Sequence, residues 1–372
     1  MSGQVDCFED YLSLINLLSK CRAILSLSCI PLKIVQKYGK FLVLGFATSI
    51  TISNAGSAMK PKNLYNFFIN IIILFALLQL MSKLHAIMVY NKDLNEILMW
   101  IKSLHIVRRD TLNRPTEIHL RKSIHIVKHI SKLLILLYFA TNVTITIYLF
   151  ATDTKVFELP GILTNEQSYI YRHLPQLIFM ILGAPLLASS DLIIVHLSLY
   201  FVSSLNIVLD AIKSLSDISV IGKKKNLLLH LYFYHLKILH NLELFSNMLY
   251  HVFVVQFSTN FLFFLVTFYM LGRAHNIFFL YPLIIAVFFQ FSTFCFFGEV
   301  IFEKTERIST ELYLTKWYAF SNEDKRMMLM MMMISQNPFG FKAAGMYDVN
   351  LMMFLQVVKI AFSYCTILYA LT

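Results

Sequence analysis

The sequence has 372 residues, 58% of them hydrophobic and 14% charged, with 33 Phe, a mean hydropathy of +0.65 and a formal net charge of +11. One water-soluble core could not bury that much apolar surface, so the composition excludes a soluble globular domain and points to a membrane protein. The basic residues alternate with apolar stretches instead of forming one patch, which argues against a nucleic-acid partner and makes the charge a matter of topology.

Taken from the start, Asp6, Glu9 and Asp10 precede an apolar run that Lys20 and Arg22 interrupt. A cleavable leader needs a basic start and a compact apolar stretch, so this segment is expected to be retained. Tyr11–Ile30 carries two cations at its centre, which hydrocarbon does not tolerate, and is expected to form an interfacial or re-entrant helix. The five cysteines, Cys7, Cys21, Cys29, Cys295 and Cys365, form no readable disulfide framework.

A bilayer core of about 30 Å needs roughly 20 helical residues. Seven stretches meet that length: Tyr38–Ala58, Phe67–Val89, Ile130–Thr152, His173–Phe201, Leu249–Leu271, Ile277–Phe297 and Leu351–Leu371. The first is the most polar, near "TISNAGS". Of the Lys and Arg residues, 25 fall on the N-terminal segment and in the connections after spans two, four and six, against five on the other side. The positive-inside rule then puts the N-terminus in the cytosol and the C-terminus outside. A seven-span G-protein-coupled receptor has the opposite polarity, and its Asp-Arg-Tyr and Asn-Pro-x-x-Tyr motifs are missing here.

The cytosolic connections keep apolar residues at i, i+3 and i+4, as in "NLLLHLYFYHLKILHNLELFSNML", with a clear break at Arg114-Pro115. The expectation is an all-α membrane protein whose helices extend into a cytosolic anchor bundle. It divides into a cytosolic N-terminal segment (1–37), six transmembrane helices with their cytosolic extensions (38–302), anchor helices (303–350) and a last transmembrane helix (351–372). Met327–Ser335 is a soft apolar stripe suited to core or subunit contact. His125 and His129 are one turn apart, yet without a converging carboxylate they read as a solvated basic face rather than a metal site. Asp191 is an ionisable group deep in span four: a functional candidate, or an interhelical hydrogen-bond acceptor. Asn142 begins a glycosylation triplet but lies inside span three, where it should not be modified.

No Walker loop, Gly-x-Ser-x-Gly or paired intramembrane carboxylate is present, so neither an enzyme nor a cofactor is expected. The outer halves of spans two, three, four and six are instead aromatic, with scattered hydroxyls. Phe67, Phe68, Tyr148, Met180, Tyr281 and Phe288 are candidate contacts for a small apolar ligand, although lipid-facing or core aromatics would look the same. In the final run "FLQVVKIAFSYCTILYALT", Gln356, Lys359, Ser363, Thr366 and Ala370 recur at steps of three and four and so share one stripe. That stripe suits a water-filled path between subunits or a close helix contact.

The stretch from Gly298-Glu299 through Trp317-Tyr318, "QNP" at Gln336–Pro338, Gly345, Val349-Asn350-Leu351, Phe354 and Ser363-Tyr364 followed by Thr366 resembles the C-terminal third of insect odorant receptors. "SSDLIIVHL" in span four is also similar. The resemblance implies a tuning subunit that binds a volatile small molecule and assembles with the olfactory co-receptor into a heterotetrameric, non-selective cation channel. The site would be the plasma membrane of olfactory sensory neurons, with membrane lipid as the other partner. It further implies that the last helix lines the pore and ends at its extracellular mouth. Ile367 and Leu371 then match positions where the family narrows the pore, and apolar rings of this kind gate by dewetting. The alternative is a homomeric channel of the sister gustatory type, from which the missing Gln-Phe ending departs.

Overall fold

In the computed structural model, the described residues are 15–27, 33–59, 63–106, 113–154, 156–157, 169–215, 224–273, 278 and 280–371. Cys7, Cys29 and both ends of Tyr11–Ile30 lie outside them, as does the side chain of Leu371. Residues 15–25 are helical (α1), followed by α2 (Lys33–Ala58), α3 (Leu64–Val89), α4 (Asn91–Ile106), α5 (Asn113–Ala151), α6 (Tyr169–Ser214), α7 (Lys224–Arg273), α8 (Leu280–Leu314), α9 (Asn322–Ser335) and α10 (Leu351–Leu371). Seven of these are long and apolar enough to cross a membrane: α2, α3, α5, α6, α7, α8 and α10.

The length of the helices explains the anchor. At about 1.5 Å per residue, the 46 residues of α6 and 50 of α7 run well past a hydrocarbon core of about 30 Å. Their surplus turns meet at one end, held by contacts between elements. Lys237 Nζ lies 2.8 Å from Glu96 Oε1, His119 Nε2 lies 2.6 Å from Asp210 Oδ2, and Lys304 Nζ donates to Asn206 Oδ1 at 2.5 Å. The hydrogen bond from Lys237 holds the Glu96 carboxyl below the usual carboxylate range. Beneath them an aromatic series joins three helices to the segment after α9: Trp100 stacks on Phe201 at 5.4 Å, Phe201 on Phe245 at 5.3 Å, and Phe245 meets Phe341 edge-on at 5.7 Å.

α6 is the central helix. It is apolar all round rather than on one stripe, and Ala188–Phe201 is buried without interruption. By contrast, α5 exposes Ile135, Leu136, Phe139, Val143 and Ile147 on the face a membrane would cover. Pro115 falls in the first turn of α5, where its missing N–H costs no internal hydrogen bond; the helix starts at Asn113 rather than breaking at Arg114-Pro115.

The segment 303–350 is not wholly helical. After α9, Lys342–Ala343 (β1) pairs antiparallel with Tyr347–Asp348 (β2), and Gly345 turns between them at a φ of +71°. This hairpin delivers the chain to α10, whose Asn350 side chain caps the helix by accepting from Met353 N at 2.8 Å. Gly298 of α8 makes the delivery possible, since a Cβ there would stand 2.0 Å from the Val349 carbonyl oxygen. In α9, the methionine stripe divides: Met328 and Met331 are buried, whereas Met330 and Met333 are exposed.

Candidate ligand-binding site

Four membrane helices, α3, α5, α6 and α8, enclose a cavity of about 120 Å³. A dry cavity of about 150 Å³ binds benzene, so this somewhat smaller space needs its walls to give before it holds a molecule of that size or larger. Its walls are mostly apolar, from Ile73, Phe179, Leu187, Leu283 and Val287. Gly183 leaves room on α6, where a Cβ would meet the Phe179 ring at 2.9 Å.

Three polar groups of the wall, Tyr138, Gln290 and Gln79, belong to two networks that continue behind it. Tyr138 and Gln290 line the cavity, and both donate to Asp191 Oδ2, Gln290 at 2.7 Å. Asp191 Oδ1 lies 2.5 Å from Lys83 Nζ, which sits 5.6 Å over the Phe294 ring, and both charges are fully buried. Two charges this far from water are tolerable only because they neutralise one another and the carboxylate gains hydrogen bonds besides. On the other side, Gln79 Nε2 donates to Thr259 Oγ1 and Asn260 Oδ1 of α7, each at 2.9 Å. Asn142 lines the same cavity and ties α5 to α6 by donating to the Met180 carbonyl at 2.6 Å.

Tyr138, Asn142, Met180 and Ala184 also line a larger cleft of about 710 Å³ between α5, α6 and α1. The cavity thus has a side wall in common with a space reaching the exposed face of α5.

Of the sequence-derived contacts, Met180 lines the cavity and the other five stand elsewhere. Phe68 packs edge-on against Tyr269 of α7 at 5.4 Å with Phe67 beside it, Tyr148 is half-buried on α5, and Tyr281 is 53% exposed. Phe288 stands one residue beyond Val287 on α8, and its ring packs against Phe264 at 4.7 Å and Phe354 of α10 at 5.7 Å. Sequence reasoning passed over Tyr138, Asn142, Gly183 and Gln290. Polar residues facing one another in spans three and six were the available signal.

α10 lies against α7 and α8 through Val357, Ala361 and Cys365, spaced one turn apart, with Ala361 fully buried. At about 100° per residue, Gln356, Lys359, Ser363, Thr366 and Ala370 centre on the opposite face, and all five are exposed. Thr366 Oγ1 donates to the Ser363 carbonyl at 2.7 Å, so that hydroxyl is satisfied inside the helix. Ile367, 52% exposed, stands at the edge of this stripe. His125 and His129 are exposed, and among the described residues no three His, Cys, Asp or Glu side chains converge as metal ligands.

The family model described as 7tm Odorant receptor matches residues 63–362. No curated protein matches the sequence significantly. Among solved structures, the chain is similar to the insect olfactory receptor OR5 from Machilis hrabei, with a TM-score of 0.80 at 16% identity, over 98% of this chain and 100% of that one. The same receptor in complex with eugenol superposes with a TM-score of 0.77 at 16% identity and the same coverage.

Proposed function

The chain belongs to the odorant receptor family and is a multi-pass membrane receptor rather than an enzyme, and from that premise we propose that it is the odorant-binding subunit of a ligand-gated cation channel. A volatile small molecule occupies the cavity between α3, α5, α6 and α8, and its arrival opens a pore lined by α10. The partner is the olfactory co-receptor, in a heterotetramer in the plasma membrane of olfactory sensory neurons. The chain lacks a long insertion after span four, which suits a tuning subunit rather than the co-receptor.

One observation carries the reading: α8 serves both places. Leu283, Ala286, Val287 and Gln290 face the cavity, while Phe288 and Phe291 of the same helix pack on Phe354 of α10 at 5.7 and 5.3 Å. A ligand that pushes on one face of α8 moves the contact on its other face, because a packed helix shifts as a unit. The eugenol complex of the Machilis receptor supports a small organic ligand. The wall chemistry favours a largely apolar molecule carrying one hydrogen-bonding group, which Tyr138, Gln290 or Asn142 can meet.

Expression with a co-receptor in oocytes tests this. Volatiles of that kind should evoke a cation current that persists in excised patches. Silence across a broad volatile panel, with the protein at the cell surface, would overturn the reading. Current from this chain alone, evoked by tastants, would select the gustatory-type homomer instead.

A further inference from the structure

A separate cavity of about 780 Å³ lies where α1, the start of α2, the end of α3 and α4 meet. Its lining includes three cations, Arg22, Lys40 and Lys102, and no Asp or Glu among the described residues. Of the two carboxylates on α4, Glu96 is engaged by Lys237 of α7, and Asp93 does not line the space. Arg22 is half-buried, and its guanidinium is held by Asn91 Oδ1 at 2.8 Å. Burial lowers its pKa, a cost of desolvation that a bound anion would offset.

The rest of the wall is apolar, with Leu84, Ile87, Met88 and Leu98 along α3 and α4. The position fixes the depth. Lys40 is in the first turn of the span that starts at Tyr38, and Asn91 follows the span that ends at Val89, so the cations stand at a membrane boundary. The excess of Lys and Arg puts that boundary on the cytosolic side.

We propose that this cavity binds an anionic phospholipid of the cytosolic leaflet. Its phosphate sits among Arg22, Lys40 and Lys102, and an acyl chain lies along Leu84, Ile87 and Met88. Three cations with no carboxylate among the described lining residues select a headgroup of net negative charge over a zwitterionic one, and the guanidinium fork suits phosphate oxygens. A soluble phosphate would need the cations but would leave the apolar wall uncovered. The bound lipid clamps α1 onto α3 and α4, whichever odorant acts on the other cavity.

The test uses the full-length chain purified in detergent, with short-chain phosphatidylinositol 4,5-bisphosphate, phosphatidylserine, phosphatidylcholine and soluble inositol trisphosphate as probes, read by native mass spectrometry and thermal shift. The two anionic lipids should bind and raise the melting temperature, while phosphatidylcholine and inositol trisphosphate should do neither. Lys40→Gln with Lys102→Gln, both exposed at the rim, should weaken lipid binding about tenfold or more, and Arg22→Gln should weaken it further. Lys132→Gln, exposed on α5 away from the cavity, should leave it unchanged. Equal binding of phosphatidylcholine, equal binding of inositol trisphosphate, or full binding by the Lys40/Lys102 double variant would each overturn the proposal. The rim variants keep the test decisive if Arg22→Gln does not fold.

Discussion

Lys83 of α3 and Asp191 of α6 meet at 2.5 Å with both charges shut away from water, one side chain behind the wall of the cavity between α3, α5, α6 and α8. Removing one partner strands the other. Asp191→Asn or Lys83→Met should destabilise the fold by about 3–5 kcal/mol, whereas the paired replacement Lys83→Met with Asp191→Leu should recover most of that loss. Thermal unfolding and surface expression of the three variants would check this; a harmless single substitution would mean the pair is solvated in the membrane.

Gly183→Val should fill part of the cavity, because even a Cβ there meets the Phe179 ring at 2.9 Å. The expected outcome is a re-ordering of odorant potency by about 1–3 kcal/mol against larger ligands, measured as dose–response curves across a homologous series. An unchanged rank order would show that ligands bind elsewhere.

Phe288 and Phe354 join α8 to α10 with ring centroids 5.7 Å apart. Phe288→Ala and Phe354→Ala should each lower the maximal current while leaving odorant occupancy intact. In a double-mutant cycle their effects on gating should be non-additive, by about 0.5–3 kcal/mol. Strict additivity would place the coupling on another contact.

Ile367→Ala or Leu371→Ala in the assembled channel should raise basal leak or alter ion permeability, since a narrower apolar ring resists wetting better than a wider one. Single-channel recording would decide. Wild-type conductance and selectivity in both variants would remove these residues from the pore.

Gly298→Ala places a Cβ 2.0 Å from the Val349 carbonyl oxygen, a backbone atom that can yield only by shifting the start of α10. We expect a loss of about 1–3 kcal/mol or more and reduced channel assembly, read as the ratio of assembled to monomeric protein on a native gel. Normal assembly would show that the hairpin is slack.

The spans were legible because hydropathy and charge bias are properties of the chain read in one dimension, and a helix in lipid satisfies its own backbone. The polar stripe of α10 was legible for a related reason, as helical spacing alone groups Gln356 with Lys359 and Ser363. The cavity was not. Phe67, Tyr148 and Tyr281 have the right chemistry at the right depth, but which face of a helix meets its neighbour is decided by packing, and apolar residues surround these helices on every side. Asn142 stood out in the sequence only as a glycosylation triplet, and in the fold it is a strut from α5 to α6. Asp191 was visible as costly, yet nothing local in its span names Lys83 of α3 as its partner. Opposite sign in neighbouring spans was the clue.

The clamp of Val349 on Gly298 sets the mechanics of the last helix. One end of α10 is pinned between backbone atoms, while its 21 residues extend about 31 Å from that point. Such a rod is a lever with its fulcrum at the cytosolic end. A tilt of about 5° leaves Leu351 almost in place and carries the far end by about 3 Å, so a small displacement beside the fulcrum becomes a large one at Ile367.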